Sequence, residues 1–87
     1  MFTVYILYSI KYHKIYIGFT SDIEKRILSH NELATKGYTI KYRPWVIVFT
    51  EKYETKSDAM RREKQLKGAK GREFIWEIIK NKGLISA

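Results

Sequence analysis

Residues 3–30 contain three successive runs: Thr3-Val4-Tyr5-Ile6-Leu7-Tyr8-Ser9, then Ile15-Tyr16-Ile17-Gly18-Phe19-Thr20, then Ser21-Asp22-Ile23-Glu24-Lys25-Arg26-Ile27-Leu28-Ser29-His30. The first two are β-branched and aromatic with almost no charge, the composition of largely buried strands. They predict strands over Phe2–Ser9 and Ile15–Thr20, joined by a loop from Ile10 to Lys14 without an Asn-Gly or Asp-Gly turn signal. If the hairpin pairs Tyr5 with Tyr16, both rings leave the same face of the sheet. The third run changes period. Ser21 and Glu24 match the Ser-x-x-Glu capping box, so a helix is expected from about Asp22 to Leu33. Arg26 and His30 are four residues apart and share a face of it.

The rest of the chain extends this pattern. Ala34–Arg43 holds Gly37 and reads as a basic, aromatic loop closed by Pro44. Trp45–Glu51 carries the apolar run Val46-Ile47-Val48-Phe49 and reads as a third strand. Ser57 caps an expected helix from Asp58 to Leu66 or Lys67. Gly68 and Gly71 are expected to break it before a last helix, Arg72–Lys80, with Phe74, Ile75, Ile78 and Ile79 facing the core. The order β-β-α-β-α-α predicts an α+β domain, a small three-stranded mixed or antiparallel sheet flanked by helices. One domain spans residues 1–82, with a loose tail over 83–87. Trp45 and Trp76 are expected at the core or its boundary.

Composition narrows the function. The chain has 87 residues and 45% hydrophobic residues, enough for a small core and too many for disorder. There is no cysteine, so disulfides and thiolate metal sites are excluded. The start of the chain has no signal-peptide pattern and no apolar run is long enough to span a membrane; the cytoplasm is the expected location. Seventeen basic against 9 acidic residues give a net charge of +8, which points to nucleic acid as partner. A lysine-rich surface that only confers solubility is the plainer reading, and no helix suits an anionic membrane.

The ordered residues Thr3-Val4-Tyr5, Tyr16-Ile17-Gly18, Arg26, His30 and Glu63 resemble the GIY-YIG nuclease family. Ten residues separate Tyr5 from Tyr16, which fits that family. The run Arg62-Glu63-Lys64-Gln65-Leu66-Lys67 looks like its small stand-alone YhbQ-like group, itself similar to the N-terminal nuclease domain of UvrC. The first signature has Thr3 where the family has glycine. Asn81 is the one candidate for the family's late asparagine and stands farther beyond Glu63 than the pattern expects.

The resemblance implies a DNA endonuclease of repair or recombination that hydrolyses phosphodiesters with one divalent ion. It assigns Tyr5, Tyr16, Arg26 and His30 to catalysis and Glu63 to the metal, Mg²⁺ or Mn²⁺. Arg26 offers a planar fork for a phosphate. Tyr5 would orient or deprotonate the attacking water, and His30 would take the proton. Tyr16 would position phosphate or water. Glu63 is a hard oxygen ligand, with water and phosphate completing the shell. Gly18 would let strand and substrate approach closely. Lys36, Lys41 and Arg43 in the loop, with Tyr38 and Tyr42, would track nucleic acid, and Lys67 with Lys64, Lys70 and Arg72 would extend that track.

Each residue also has a plain structural role. Tyr5 and Tyr16 suit any strand. Arg26 suits any solvated helix, and His30 suits a helix C-terminus. Glu63 suits a surface pair with Lys67. One site explains all of them at these spacings better than separate coincidences do. Two other functions share the features: a nucleic-acid-binding module without catalysis, and an accessory protein that docks on a larger repair factor. A protein partner would then supply target choice.

Overall fold

The computed structural model describes residues 1–85. Strands β1 (Phe2–Ser9), β2 (Lys14–Thr20) and β3 (Val46–Tyr53) form one antiparallel sheet in the order β2-β1-β3. Helix α1 (Ile23–Leu28) follows β2 and opens into a π-helical turn over Ser29–Leu33. A short 3₁₀ segment, Tyr38–Tyr42, lies in the following loop. Helices α2 (Lys56–Lys67) and α3 (Ala69–Asn81) come after β3. The expected α+β order holds, with every strand pair antiparallel.

β1 is central, and its alternation decides what each face does. Val4, Ile6 and Tyr8 face α2 and α3 and form the main core with Ile17, Val48, Ala59, Leu66, Ile75 and Ile79. Tyr5 and Leu7 face the other way, into a smaller cluster with Trp45, backed by Tyr16, Ile23, Ile27 and Tyr42. The sheet is therefore a middle layer. A thick helical layer stabilises one side, and α1 with the loop covers the other.

Several local expectations change. The register pairs Tyr5 with Gly18 and Leu7 with Tyr16. Tyr16 and Gly18 are two residues apart on β2, so the rings of Tyr5 and Tyr16 still share a face, on a diagonal. The hairpin turn is closed by His13 at φ 57°, a left-handed conformation that histidine adopts more readily than most residues. Asp22, not Ser21, caps α1: its Oδ1 accepts the Lys25 N–H at 3.1 Å. Thr55, not Ser57, caps α2, with its Oγ1 accepting the Asp58 N–H at 3.2 Å. In both cases the winning side chain lies three residues before the amide it bonds.

Gly71 lies inside α3 instead of breaking the chain. A Cβ there would strike the Gln65 carbonyl and the Leu66 backbone, so glycine permits the close crossing of α2 and α3. Val46 and Ile47 of the apolar run are exposed (38% and 44%), on an edge strand whose register shifts opposite Ile6 and Leu7.

The tail is not loose as far as it is described. Gly83, at φ 75°, donates to Lys80, and Leu84 donates to Ile79, the paired bonds of a Schellman cap. Leu84 and Ile85 pack on the main core. The remainder of the expected tail, residues 86–87, lies outside the described residues. Among the described residues no helix is long and apolar enough to cross a membrane.

Candidate active site

Four of the sequence-predicted residues converge on the thinner face of the sheet. Tyr5 is buried on central β1, and its ring stacks on Tyr16 of β2 with centroids 6.3 Å apart. Gly18 sits beneath both. A Cβ at Gly18 would lie 2.7 Å from the Tyr5 hydroxyl oxygen and 3.2 Å from the Tyr16 ring. The close approach that requires glycine is thus to the Tyr5 phenol itself.

His30 reaches this pair because α1 changes pitch. The Ala34 N–H bonds the Ser29 carbonyl at 3.0 Å, an i→i+5 bond that widens the last turn. Two side chains secure the wide turn. Arg43 donates to the carbonyls of His30, Ser29 and Ala34. Asn31 exchanges two hydrogen bonds with the Trp45 backbone, at 2.7 Å and 3.1 Å. The imidazole is thereby held between two hydroxyls: Nε2 lies 2.9 Å from the Tyr5 oxygen and Nδ1 lies 3.0 Å from Thr39 Oγ1. Thr39 is itself buried in the 3₁₀ segment.

Electrostatics set the charge states. Burial, then the positive charges of Arg26 and Arg43, lower the His30 pKa below its usual value. The imidazole is therefore neutral near pH 7, with one nitrogen donating and the other accepting. Both partners are hydroxyls that can donate or accept; a phenol that donates to Nε2 goes with the tautomer whose Nδ1–H donates to Thr39 Oγ1. Burial, then Tyr16, push the Tyr5 phenol above the ordinary tyrosine range; Arg26 opposes this and Glu63 adds to it. The resting pair is a neutral phenol on a neutral imidazole. Arg26 stays exposed and lines a cleft of about 260 Å³ with Tyr16, His30, Lys36 and Tyr38.

Glu63 arrives from α2. Ala59, Glu63 and Leu66 fall on one face of that helix, and Ala59 and Leu66 are buried, so the carboxylate is carried inward. Its side chain is 21% exposed and pairs with Lys67 at 3.3 Å. Among the described residues no three His, Cys, Asp or Glu side chains form a metal cluster. A single carboxylate, a hard oxygen donor, suits a Mg²⁺ ion that keeps waters and takes the rest of its shell from a substrate phosphate. The donor set fits such an ion, with Lys67 having to release the carboxylate.

The expected nucleic-acid contacts divide. Lys36 is exposed at the cleft and Lys41 is exposed on the 3₁₀ segment. Arg43 has a structural role beside the expected phosphate contact: through Nε and Nη2 it donates to three backbone carbonyls and so builds the π turn. Lys67 is engaged by Glu63. Asn81 ends α3, which packs on the face that Tyr5 turns away from. Thr39 and Asn31 were not singled out from the sequence. Thr39 looks like a loop threonine, and only the fold brings it to His30; Asn31 after His30 gives no more than a polar residue near a helix end.

The model of the family described as the GIY-YIG catalytic domain matches residues 1–82. A UPF0213 protein of Staphylococcus haemolyticus is 42% identical over 64 residues, covering 74% of this chain and 77% of its own length. A UPF0213 protein of Bacillus velezensis is 37% identical over 73 residues, covering 80% of this chain and 74% of its own. The solution NMR structure of a UPF0213 protein from Bacillus halodurans superposes with a TM-score of 0.53 at 29% identity, over 90% of this chain and 85% of that one.

Proposed function

Because the chain belongs to the GIY-YIG catalytic domain family, a nuclease family, we propose that it is an endonuclease that hydrolyses DNA phosphodiesters with one divalent metal ion. The observation that carries this reading is the buried Tyr5–His30 hydrogen bond of 2.9 Å beside a cleft lined by Arg26. A neutral imidazole that accepts from a phenol is a proton relay awaiting a third party. Water attacking a phosphate in the cleft gives its proton to the Tyr5 oxygen as the phenol proton passes to His30 Nε2. In this step Nδ1–H donates to Thr39 Oγ1, which orients the ring. The imidazolium formed has only a neutral hydroxyl on its far side, so it readily returns its proton.

Arg26 grips the non-bridging oxygens and stabilises the charge that builds on them in the transition state. Tyr16, stacked on Tyr5, fixes the phenol and offers its own hydroxyl to phosphate or water. Glu63 would hold the cation, Mg²⁺ or Mn²⁺. Once bound, that ion would supply Lewis-acid stabilisation of phosphoryl charge. One compact centre suits one phosphate, so each event would cut one strand.

The test is cleavage of labelled DNA and RNA substrates with Mg²⁺ or Mn²⁺ at low salt, where phosphate-driven binding is strongest. Wild type is run beside Arg26→Ala and Glu63→Ala. Metal-dependent cutting lost in both variants supports the reading. Binding without cutting, equal in all three proteins, overturns it and leaves a nucleic-acid-binding domain.

A further inference from the structure

A continuous row of tyrosines leads away from the Arg26 cleft, and the reaction uses only its first members. Tyr16 stacks toward Tyr38, with centroids 6.5 Å apart and planes at 27°. Tyr38 meets Tyr42 at 4.8 Å, and Tyr42 meets Tyr12 edge-on at 5.5 Å. Lys14 stands over Tyr42 at 5.6 Å and Lys11 over Tyr12 at 5.4 Å. The rings come from three separate segments: β2, the 3₁₀ segment and the β1–β2 turn.

Packing alone explains part of this row and not all of it. Tyr42 backs the small cluster around Trp45. Tyr38 and Tyr12 are 48% and 42% exposed; Tyr12 lies beside Lys11, and Tyr38 shares the cleft lining with Lys36. Aromatic faces alternating with lysines are what an unpaired strand needs: bases stack on the rings and ammonium groups follow the phosphates. A duplex keeps its base faces stacked inside and would use only the lysines and hydroxyls.

We propose that Tyr16, Tyr38, Tyr42 and Tyr12, with Lys14 and Lys11, form a stacking track for the unpaired bases of a single DNA strand that runs out of the Arg26 cleft. The substrate class is then DNA with a single-stranded segment beside the scissile phosphate. The placement of that phosphate rests on the nuclease reading; the track itself does not.

The test is fluorescence anisotropy without metal, in EDTA at low salt. The probes are a labelled oligothymidylate of about a dozen nucleotides, a blunt duplex of similar length and an oligouridylate. Tyr38→Ala and Tyr12→Ala are each expected to weaken oligothymidylate binding about tenfold. Tyr38→Phe and Tyr12→Phe, which keep the ring, stay within about twofold of wild type, and duplex affinity changes less than about twofold in every variant. Alanine variants that bind oligothymidylate as wild type does, or that lose duplex affinity equally, overturn the track. Ring-dependent binding of oligouridylate alone overturns its assignment to DNA. Ring-independent binding alongside cutting that needs Arg26 and Glu63 removes the track and leaves the nuclease, whereas ring-dependent binding without cutting does the reverse.

Discussion

The central strand carries two phenol–imidazole pairs, one on each face of the sheet. Tyr5 meets His30 Nε2 at 2.9 Å, and Tyr8 meets His13 Nδ1 at the same distance. Both tyrosines are buried, and burial pushes both phenols upward. Their surroundings differ. Tyr8 is packed edge-on against Trp76, and His13 lies over the same indole at 4.7 Å. Tyr5 is exposed to the charges of Arg26 and Glu63, and its histidine borders an open cleft. A hydrogen-bonded Tyr–His pair is thus not a site in itself. Under the nuclease reading, the nearby Arg26 cation and the open cleft would make one pair chemical, while packing against Trp76 leaves the other structural.

Removing each phenol hydroxyl separates the two pairs most sharply. Tyr5→Phe should lower cleavage by about 10²- to 10⁴-fold, the usual contribution of a positioned acid–base group, and should also cost about 1 kcal/mol of stability for its buried hydrogen bond. Tyr8→Phe should leave cleavage unchanged and cost at most about 1 kcal/mol of stability for one partly buried hydrogen bond. Single-turnover rates and thermal melts of both variants check this. Equal activity losses would place the catalytic relay elsewhere.

The thick face should dominate stability. Ile75 is fully buried between α3 and the sheet, and Ile75→Ala should destabilise by about 2–5 kcal/mol in denaturant unfolding without changing the chemistry of the folded fraction. Gly18→Ala works the other way. Its Cβ would meet the Tyr5 hydroxyl oxygen at 2.7 Å and push the phenol off His30, so cleavage should fall steeply while overpacking costs about 1–3 kcal/mol. Gly18→Ala with full activity would show that the phenol has room to move.

The sequence carried the parts of this comparison that depend on period and spacing. Runs of β-branched and aromatic residues placed Tyr5 and Tyr16 in strands, and the i, i+4 spacing put Arg26 and His30 near each other. The parts it concealed depend on pairs far apart in the chain. The two-residue register difference, Tyr5 on Gly18, follows from a turn whose last residue, His13, takes a left-handed conformation without the glycine or asparagine that would announce it. The π turn is set by Arg43 and Asn31 acting across more than a dozen residues, so a basic loop residue that looks suited to phosphate is a structural clamp. Thr39 becomes part of the site only through that clamp. Capping failed by one or two residues for a simpler reason: Ser21, Asp22, Thr55 and Ser57 are all competent caps, and backbone geometry chooses among them.

The smallest expected effect concerns pH and bears on His30 alone. Its pKa is lowered on folding, so the unfolded chain binds the proton more readily than the folded one. The sign follows: as pH falls below about 6.5, the unfolded value, the unfolded state takes up a proton that the folded state refuses, and stability declines until pH reaches the lowered folded value. Above about 6.5 the contribution is complete. Cleavage should decline further into acid, where the folded protein's His30 titrates through its lowered value, since an imidazolium cannot accept the Tyr5 proton. His30→Gln should flatten this part of the stability profile while keeping a hydrogen-bonding side chain between Tyr5 and Thr39. The comparison with the other face supplies the control: His13→Gln removes a histidine from the same strand's second pair and should leave the acid limb of the cleavage profile in place. If that limb followed His13 instead, the proton acceptor would have been assigned to the wrong side of the sheet.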